Sequence, residues 1–134
     1  MASVYPLRAL RYTKKAGSIA DLATLPYDVI SEELETKYKC RSPFNFAHLI
    51  LPRGDYAGAR QRLDAWKAEG VLSSDAEAAI FVYEQAFKAP GSTLPLVRRG
   101  FVALGDTEEY GQTVYRHERT ISGPKEDRFR LLEA

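Results

Sequence analysis

The sequence lacks the features of a disulfide-stabilised, secreted or membrane protein. Its 134 residues include one cysteine, Cys40, so an internal disulfide and a cysteine-based metal cluster are both excluded. Apolar runs are only a few residues long, whereas a helix that spans a bilayer needs roughly 20. The first residues also lack the basic and apolar segments of a secretory signal. These absences predict a cytoplasmic protein without a membrane partner.

The sequence also has no large excess of charge of either sign, and it lacks common catalytic motifs. It has 19 basic and 18 acidic side chains, a balance that disfavours a nucleic-acid partner. The two histidines do not have the His-Glu-x-x-His spacing of a zinc site, so neither histidine is predicted to be a metal ligand. The phosphate-binding, dinucleotide-binding and serine-hydrolase sequences Gly-x-x-x-x-Gly-Lys-Ser/Thr, Gly-x-Gly-x-x-Gly and Gly-x-Ser-x-Gly are absent.

Helix-end signals predict three helices. Ser31 is an N-cap candidate, with glutamates following it in the first turn. Asp55 begins a second helix, which Gly70 ends. The third begins near Gly123 and Pro124, after which Phe129 starts an apolar stripe.

Strand-like patterns fall at residues 5–12, 45–51, 79–87, 96–104 and 112–116. Residues 79–87 and 96–104 predict an antiparallel hairpin, and apolar side chains on both parities predict that both of its faces are covered. Together the elements predict an α+β fold: a single domain with a mixed or mainly antiparallel sheet of about five strands and flanking helices. Because the last amphipathic helix is cut short, we expect residues 1–134 to be one N-terminal domain, a fragment of a longer protein.

The densest cluster of reactive side chains lies at residues 115–128, where a strand-like run precedes a Ser-Gly-Pro helix start. Backbone N–H groups at such a start can face an anion. His117 is the candidate acid or base, and Glu118 or Asp127 is a candidate to orient it or hold a divalent ion. The candidates for phosphate binding are Arg119, Thr120, Ser122, Lys125 and Arg128.

Each candidate also has a structural interpretation. For residues 115–128 it is a strand end followed by a capped helix with a solvated, salt-bridged surface, and the pattern alone favours it. Tyr27 and Asp28 lie in a rigid turn after Pro26 that is suited to a ligand, but Asp28 can equally accept backbone N–H groups while Tyr27 packs. In the structural interpretation, Asn45 links a loop to the strand that follows it.

Four blocks of sequence carry a resemblance to a known family. They are Pro-Leu-Arg-Ala-Leu-Arg-Tyr at 6–12, Leu-Pro-Tyr-Asp-Val-Ile-Ser at 25–31, Ser-Pro-Phe-Asn-Phe-Ala-His-Leu-Ile-Leu-Pro at 42–52, and His-Glu-Arg-Thr-Ile-Ser-Gly-Pro-Lys-Glu-Asp-Arg at 117–128. In this order they resemble the N-terminal part of a bacterial and archaeal family called domain of unknown function 1015. The resemblance covers essentially the whole chain, and the last block is its most specific part.

The resemblance implies a site lined by residues of 117–128 together with Tyr27, Asp28 and Asn45. Family members are longer, and their downstream part carries an Asp-Gly-His-His-Arg motif. That motif resembles the phosphate-facing signature of the ParB and sulfiredoxin-like fold, in which some members are nucleotide-dependent kinases. The motif is absent from this chain.

Two hypotheses of function follow. The first is a phosphate- or nucleotide-binding module of a phosphoryl-transfer enzyme that acts on a small hydroxyl substrate such as serine. A small phosphorylated ligand would be its partner, and a nucleotide with a divalent cation is the candidate cofactor. The alternative is a non-catalytic interaction or regulatory module that docks on the missing C-terminal part, for which an exposed apolar patch is expected.

Overall fold

A computed structural model describes residues 3–116 and 122–134 of the chain. The described residues form two compact units. We call residues 10–73 and 122–134 the helical unit, and residues 3–9 and 74–116 the hairpin unit. The helices belong to the first unit and the longest strands to the second, so the predicted α+β class is confirmed.

The helices and strands follow one another along the described chain as β1 (Val4–Tyr5), β2 (Leu10–Tyr12), α1 (Ile19–Leu22), α2 (Glu32–Arg41), α3 (Ala47–Ile50), α4 (Tyr56–Ala68), β3 (Leu72–Ser74), β4 (Phe81–Lys88), β5 (Pro95–Val102), β6 (Leu104–Gly105) and α5 (Ser122–Glu133). Two 3₁₀ turns lie at Lys14–Ala16 and Tyr27–Val29. No helix within the described ranges is both long and apolar enough to cross a membrane.

The helix ends predicted from the sequence are confirmed. The Ser31 hydroxyl accepts the backbone N–H of Leu34 at 3.2 Å and caps α2. The Asp55 carboxylate accepts the N–H of Gly58 at 3.0 Å and caps α4. Gly70, just after α4, has a φ of 71°, the left-handed conformation that commonly ends a helix.

The strand predicted at residues 45–51 is wrong, because this segment forms the short helix α3. The Asn45 side-chain oxygen accepts the N–H of Ala47 at 3.0 Å, which turns the chain into the helix. The N–H of Phe46 donates to the carbonyl of Leu22 at 2.9 Å. A short apolar run fits a buried strand and a buried helix equally well, so these hydrogen bonds decide between them.

Two apolar clusters form the core of the helical unit, and α3 contributes to both. Leu49 joins the first cluster, whose buried members are Ala16, Leu22, Leu49, Trp66, Val71 and Leu72. Ala47 joins the second, whose buried members are Ile30, Tyr38, Ala47 and Leu51. The Phe44 ring meets Trp66 edge-on, with 5.7 Å between ring centroids. The helical unit is therefore built around α3 and the loop that precedes it.

The strands that the structure describes form three two-stranded sheets, β1 with β6, β2 with β3, and β4 with β5. Pairing of β4 with β5 and of β1 with β6 is antiparallel, as expected. The single sheet of about five strands is not present in the described residues. One reason is Pro6, which lacks an N–H group and separates β1 from β2 within the strand predicted at 5–12.

The short strand predicted at residues 112–116 is also wrong. The chain turns at Gly111, whose φ is 104°, and the Gly111 N–H donates to the Val114 carbonyl at 2.9 Å. Only an isolated bridge joins Tyr110 to Val114. A glycine with positive φ therefore closes a tight turn where the sequence pattern predicted extended chain.

The predicted hairpin is confirmed, with Phe81 opposite Val102 and Lys88 opposite Pro95. The expectation that both of its faces are covered is wrong for the described residues. On one face Val82 is 83% exposed and Phe101 is 64% exposed. Apolar side chains on both parities therefore do not mark a buried ribbon here.

We predict that Leu22→Ala lowers the free energy of unfolding by about 2–5 kcal/mol, because it leaves a cavity in the first core cluster. Urea denaturation followed by the fluorescence of Trp66 in the same cluster measures the change. Leu25→Ala is the matched control, since Leu25 is 48% exposed while Leu22 is 1% exposed. Equal losses in the two variants would contradict the placement of Leu22 in the core.

Candidate ligand-binding groove

An open groove of about 670 Å³ lies on the helical unit. Its volume is within the range of roughly 300–1,000 Å³ that is typical of small-molecule sites. Arg128 of α5 is the one charged side chain among the described residues that line it. The lining residues are Tyr12, Ile19, Leu22, Ala23, Thr24, Leu25, Pro26, Tyr27, Phe46, Ile50 and Arg128. The groove is therefore an apolar surface with a single cation.

Arg128 is held in the groove from three directions. Its guanidinium lies over the Tyr27 ring, 4.5 Å from the centroid, in a cation–π contact. Nη1 donates to the Ile50 carbonyl at 2.7 Å, while Nε and Nη2 both donate to the Asp127 carboxylate. A guanidinium has five N–H groups, so two of them have no partner among the described residues.

Asp127 orients Arg128 and is itself held by Tyr56 of α4. The Tyr56 hydroxyl donates to Oδ1 of Asp127 at 2.7 Å. Hydrogen bonds from Arg128 and then from Tyr56 hold the pKa of Asp127 below its ordinary value. The same hydrogen bond to Asp127 raises the pKa of Tyr56. At neutral pH Asp127 is thus a carboxylate and Tyr56 a neutral phenol.

An ion cluster around the buried Glu35 links α2 to the loop after α3. Glu35 accepts hydrogen bonds from Lys39 at 2.5 Å and from Arg53 Nε at 2.8 Å. Burial alone would raise the pKa of Glu35, but the hydrogen bonds from Lys39 and Arg53 outweigh it and lower that pKa. Arg53 has a φ of 51°, and its charge also helps to lower the pKa of Asp127. The cluster fixes the loop between α3 and α4.

Tyr12, which also lines the groove, has its hydroxyl engaged in a hydrogen bond and contributes ring surface. Its hydroxyl donates to the Phe44 carbonyl at 2.8 Å. Burial raises the pKa of Tyr12 to about 12, so the phenol stays neutral. The hydroxyl is already engaged, and the ring is left as part of the apolar wall.

Asn45 is a buried structural residue. Its side chain is fully buried, donates to the Asp21 carbonyl at 2.6 Å and accepts the Ala47 N–H at 3.0 Å. These bonds tie the end of α1 to the start of α3. Asn45 is therefore buried and is not among the residues that line the groove.

The structure brings together three of the predicted site residues, Tyr27, Asp127 and Arg128. Asp28 is exposed in the Tyr27–Val29 turn, and Ser122 and Lys125 are exposed at the start of α5. The remaining predicted residues, His117, Glu118, Arg119 and Thr120, lie outside the residues that the structure describes.

Sequence reasoning missed Tyr56, Arg53 and the Ile50 carbonyl. Tyr56 follows the Asp55 cap and has the pattern of an ordinary first helical residue. Seventy-one positions separate Tyr56 from Asp127, so no local pattern could pair them. Within residues 3–116 and 122–134, no three His, Cys, Asp or Glu side chains are grouped as metal ligands would be.

The fold and the groove define a small α+β protein with an arginine positioned at an apolar surface. The chain matches the family described as protein of unknown function (DUF1015) over residues 4–134, and it belongs to that family. No curated protein matches the chain significantly. No solved structure does so either.

We predict that Asn45→Ala lowers the free energy of unfolding by about 1–3 kcal/mol, because the Asp21 carbonyl and the Ala47 N–H lose their buried partner. Urea denaturation of wild type and Asn45→Ala measures this change in the free energy of unfolding. Gln61→Ala, which truncates an exposed amide on α4, is the control and is expected to change stability by less than about 0.5 kcal/mol. If Asn45→Ala were as stable as wild type, the structural role of Asn45 would be contradicted.

A second prediction concerns pH and Asp127. Because its folded pKa lies below its unfolded value of about 3.9, its interactions stabilise the fold above about pH 4 and are lost as the pH falls through the folded pKa. Wild type should therefore be more stable than Asp127→Asn at pH 6, and the two should converge toward pH 3. Urea midpoints across this range give the difference. If the difference in stability between wild type and Asp127→Asn did not change with pH, the lowered pKa of Asp127 would be refuted.

Proposed function

We propose that the helical unit binds a small ligand that carries a phosphate or similar oxyanion on an apolar or aromatic body, with a nucleotide as the candidate. The observation that carries the proposal is the position of Arg128. It is the one charged side chain among the described lining residues, and two of its N–H groups have no partner among the described residues.

The guanidinium is suited to this role because its orientation is already fixed. Asp127, Tyr27 and the Ile50 carbonyl hold it before any ligand arrives. Because the guanidinium is already ordered, binding an oxyanion does not require a flexible side chain to lose its freedom. The free-energy cost of binding is therefore smaller. Paired N–H groups of arginine also match the oxygens of phosphate and carboxylate.

The apolar part of the groove would hold the remainder of the ligand. Leu25, Pro26 and Phe46 give it broad apolar and aromatic walls. Such walls favour a flat or apolar body over a sugar or a free inorganic ion. The affinity for a nucleotide should therefore exceed the affinity for phosphate alone.

Phosphoryl transfer to a small hydroxyl substrate such as serine extends the same proposal. His117 would handle the proton and Arg119, Thr120, Ser122 and Lys125 would contact the phosphates, with Glu118 as a base or metal partner. A cytoplasmic location belongs to this proposal too.

A non-catalytic interaction module is the second candidate, and the exposure of α5 favours it. Phe129 is exposed, and Leu132 is 86% exposed. These are apolar side chains that an amphipathic helix normally buries. In this proposal α5 docks against another region or partner, and the groove binds no small ligand.

We predict that ATP and ADP bind the protein more tightly than inorganic phosphate, and that Arg128→Lys weakens nucleotide binding about tenfold or more, or about 1.4 kcal/mol. Lysine keeps the positive charge but loses the planar paired donors. Isothermal titration calorimetry measures the affinities. Lys125→Ala and His117→Ala in the same series test those two side chains.

Arg130→Lys is the matched control, because Arg130 lies on the same helix and pairs with Glu126 at 3.0 Å on an exposed face. Circular dichroism confirms that each variant is folded at the titration temperature. Equal affinities of the Arg128 and Arg130 variants would overturn the role of Arg128. Absence of nucleotide binding to the folded wild type would overturn the binding proposal and leave the interaction module.

A further inference from the structure

Helix α5 is attached to the rest of the helical unit with little buried apolar surface. None of its 12 residues is buried, while Asp127, Arg128 and Leu131 are half-buried. The apolar side chains of Phe129 and Leu132 are exposed. A helix shorter than about 12–15 residues is marginal in water by itself, and most helices are stabilised by packing an apolar face. Packing therefore favours the docked position of α5 only weakly.

Hydrogen bonds tie α5 to α4 at two separate points. The Tyr56 hydroxyl donates to Oδ1 of Asp127 at 2.7 Å. Nη1 of Arg60 donates to the carbonyl of Ala134, the residue that follows α5, at 3.2 Å. Each such bond contributes modestly to stability, because water competes for the same groups. Removal of one of these bonds should therefore change the docking of α5 measurably.

The cation of the groove lies on this helix. Arg128 is the one charged side chain among the described residues that line the groove, and its Nη1 donates to the Ile50 carbonyl at 2.7 Å. The apolar walls, which include Leu25 and Phe46, belong to segments that precede α4. A ligand with its oxyanion on Arg128 and its body on these walls bridges α5 to the rest of the helical unit.

We propose that α5 is a strap that opens from α4 and closes onto it, and that ligand binding in the groove holds it closed. The inference rests on the proposed binding function, because the ligand's oxyanion is what ties Arg128 to the groove. The structure shows the closed state, in which the guanidinium is fixed. When the strap opens, the groove loses its cation. A ligand that binds the closed state alone lowers the open fraction by a factor of 1 + [L]/Kd.

Amide hydrogen exchange of the 134-residue chain, with and without ADP, tests the proposal. In the free protein the backbone amides of α5 should exchange faster than those of α4, in which Ala59 and Trp66 are buried. ADP at about one hundred times its Kd should slow the exchange of α5 about a hundredfold. The amides of β4 and β5, which belong to the hairpin unit, are the internal control and should keep their rates.

Tyr56→Phe removes the hydroxyl that holds Asp127, so it should speed the exchange of α5 in the free protein about fivefold or more. Tyr5→Phe is the matched control, because it also removes a hydrogen bond from a tyrosine to an aspartate. The Tyr5 hydroxyl donates to Asp106 at 3.1 Å within the hairpin unit. This variant should leave the exchange of α5 unchanged.

The possible outcomes separate this inference from the proposed function. If calorimetry shows no binding of ADP to the folded wild type, both the proposed function and the coupling are overturned. If ADP binds but does not slow the exchange of α5, the strap is overturned and the binding function stands. Exchange of α5 that is as slow as that of α4 in the free protein, or that Tyr56→Phe does not change, would also overturn the strap.

Discussion

The side chain of Asn45 makes the hydrogen bonds on which the helical unit depends. It is fully buried, with its amide N–H on the Asp21 carbonyl and its oxygen on the Ala47 N–H. The first bond fixes the end of α1, and the second starts α3. Because α3 contributes Leu49 to one core cluster and Ala47 to the other, a single polar side chain sets how both clusters pack.

The groove follows from the same arrangement. One wall is the chain that leaves α1, and another is the α3 region with Phe46 and Ile50. The carbonyl of Ile50, at the end of α3, accepts a hydrogen bond from Arg128. A different course for this segment would remove both an apolar wall and a hydrogen-bond acceptor, so the geometry of Arg128 depends indirectly on Asn45.

Membership in a family of unknown function gives no activity to transfer to this chain. The proposed function therefore depends on what the described side chains can do. In the helical unit, Tyr56 orients Asp127, which in turn orients Arg128 toward an apolar groove. In the hairpin unit, β4 and β5 form an antiparallel ribbon whose described residues are mostly exposed.

The sequence by itself determined the local features. The caps at Ser31 and Asp55, the helix end at Gly70 and the β4–β5 pairing all depend on residues close together in the chain. Their hydrogen bonds form within a few residues or between strands joined by the short loop at residues 89–94, and propensity and spacing report such bonds directly. Four blocks of residues were also enough to indicate the family, which the match over residues 4–134 confirmed.

Only the tertiary structure decided the secondary structure of residues 45–51 and the contacts of Arg128. An apolar run of that length suits a strand or a helix, and the choice was made by the contact of Asn45 with Asp21, 24 positions away. Arg128 meets the Ile50 carbonyl across 78 positions. Contacts over such separations depend on how whole elements pack, and no periodicity in the sequence records that packing.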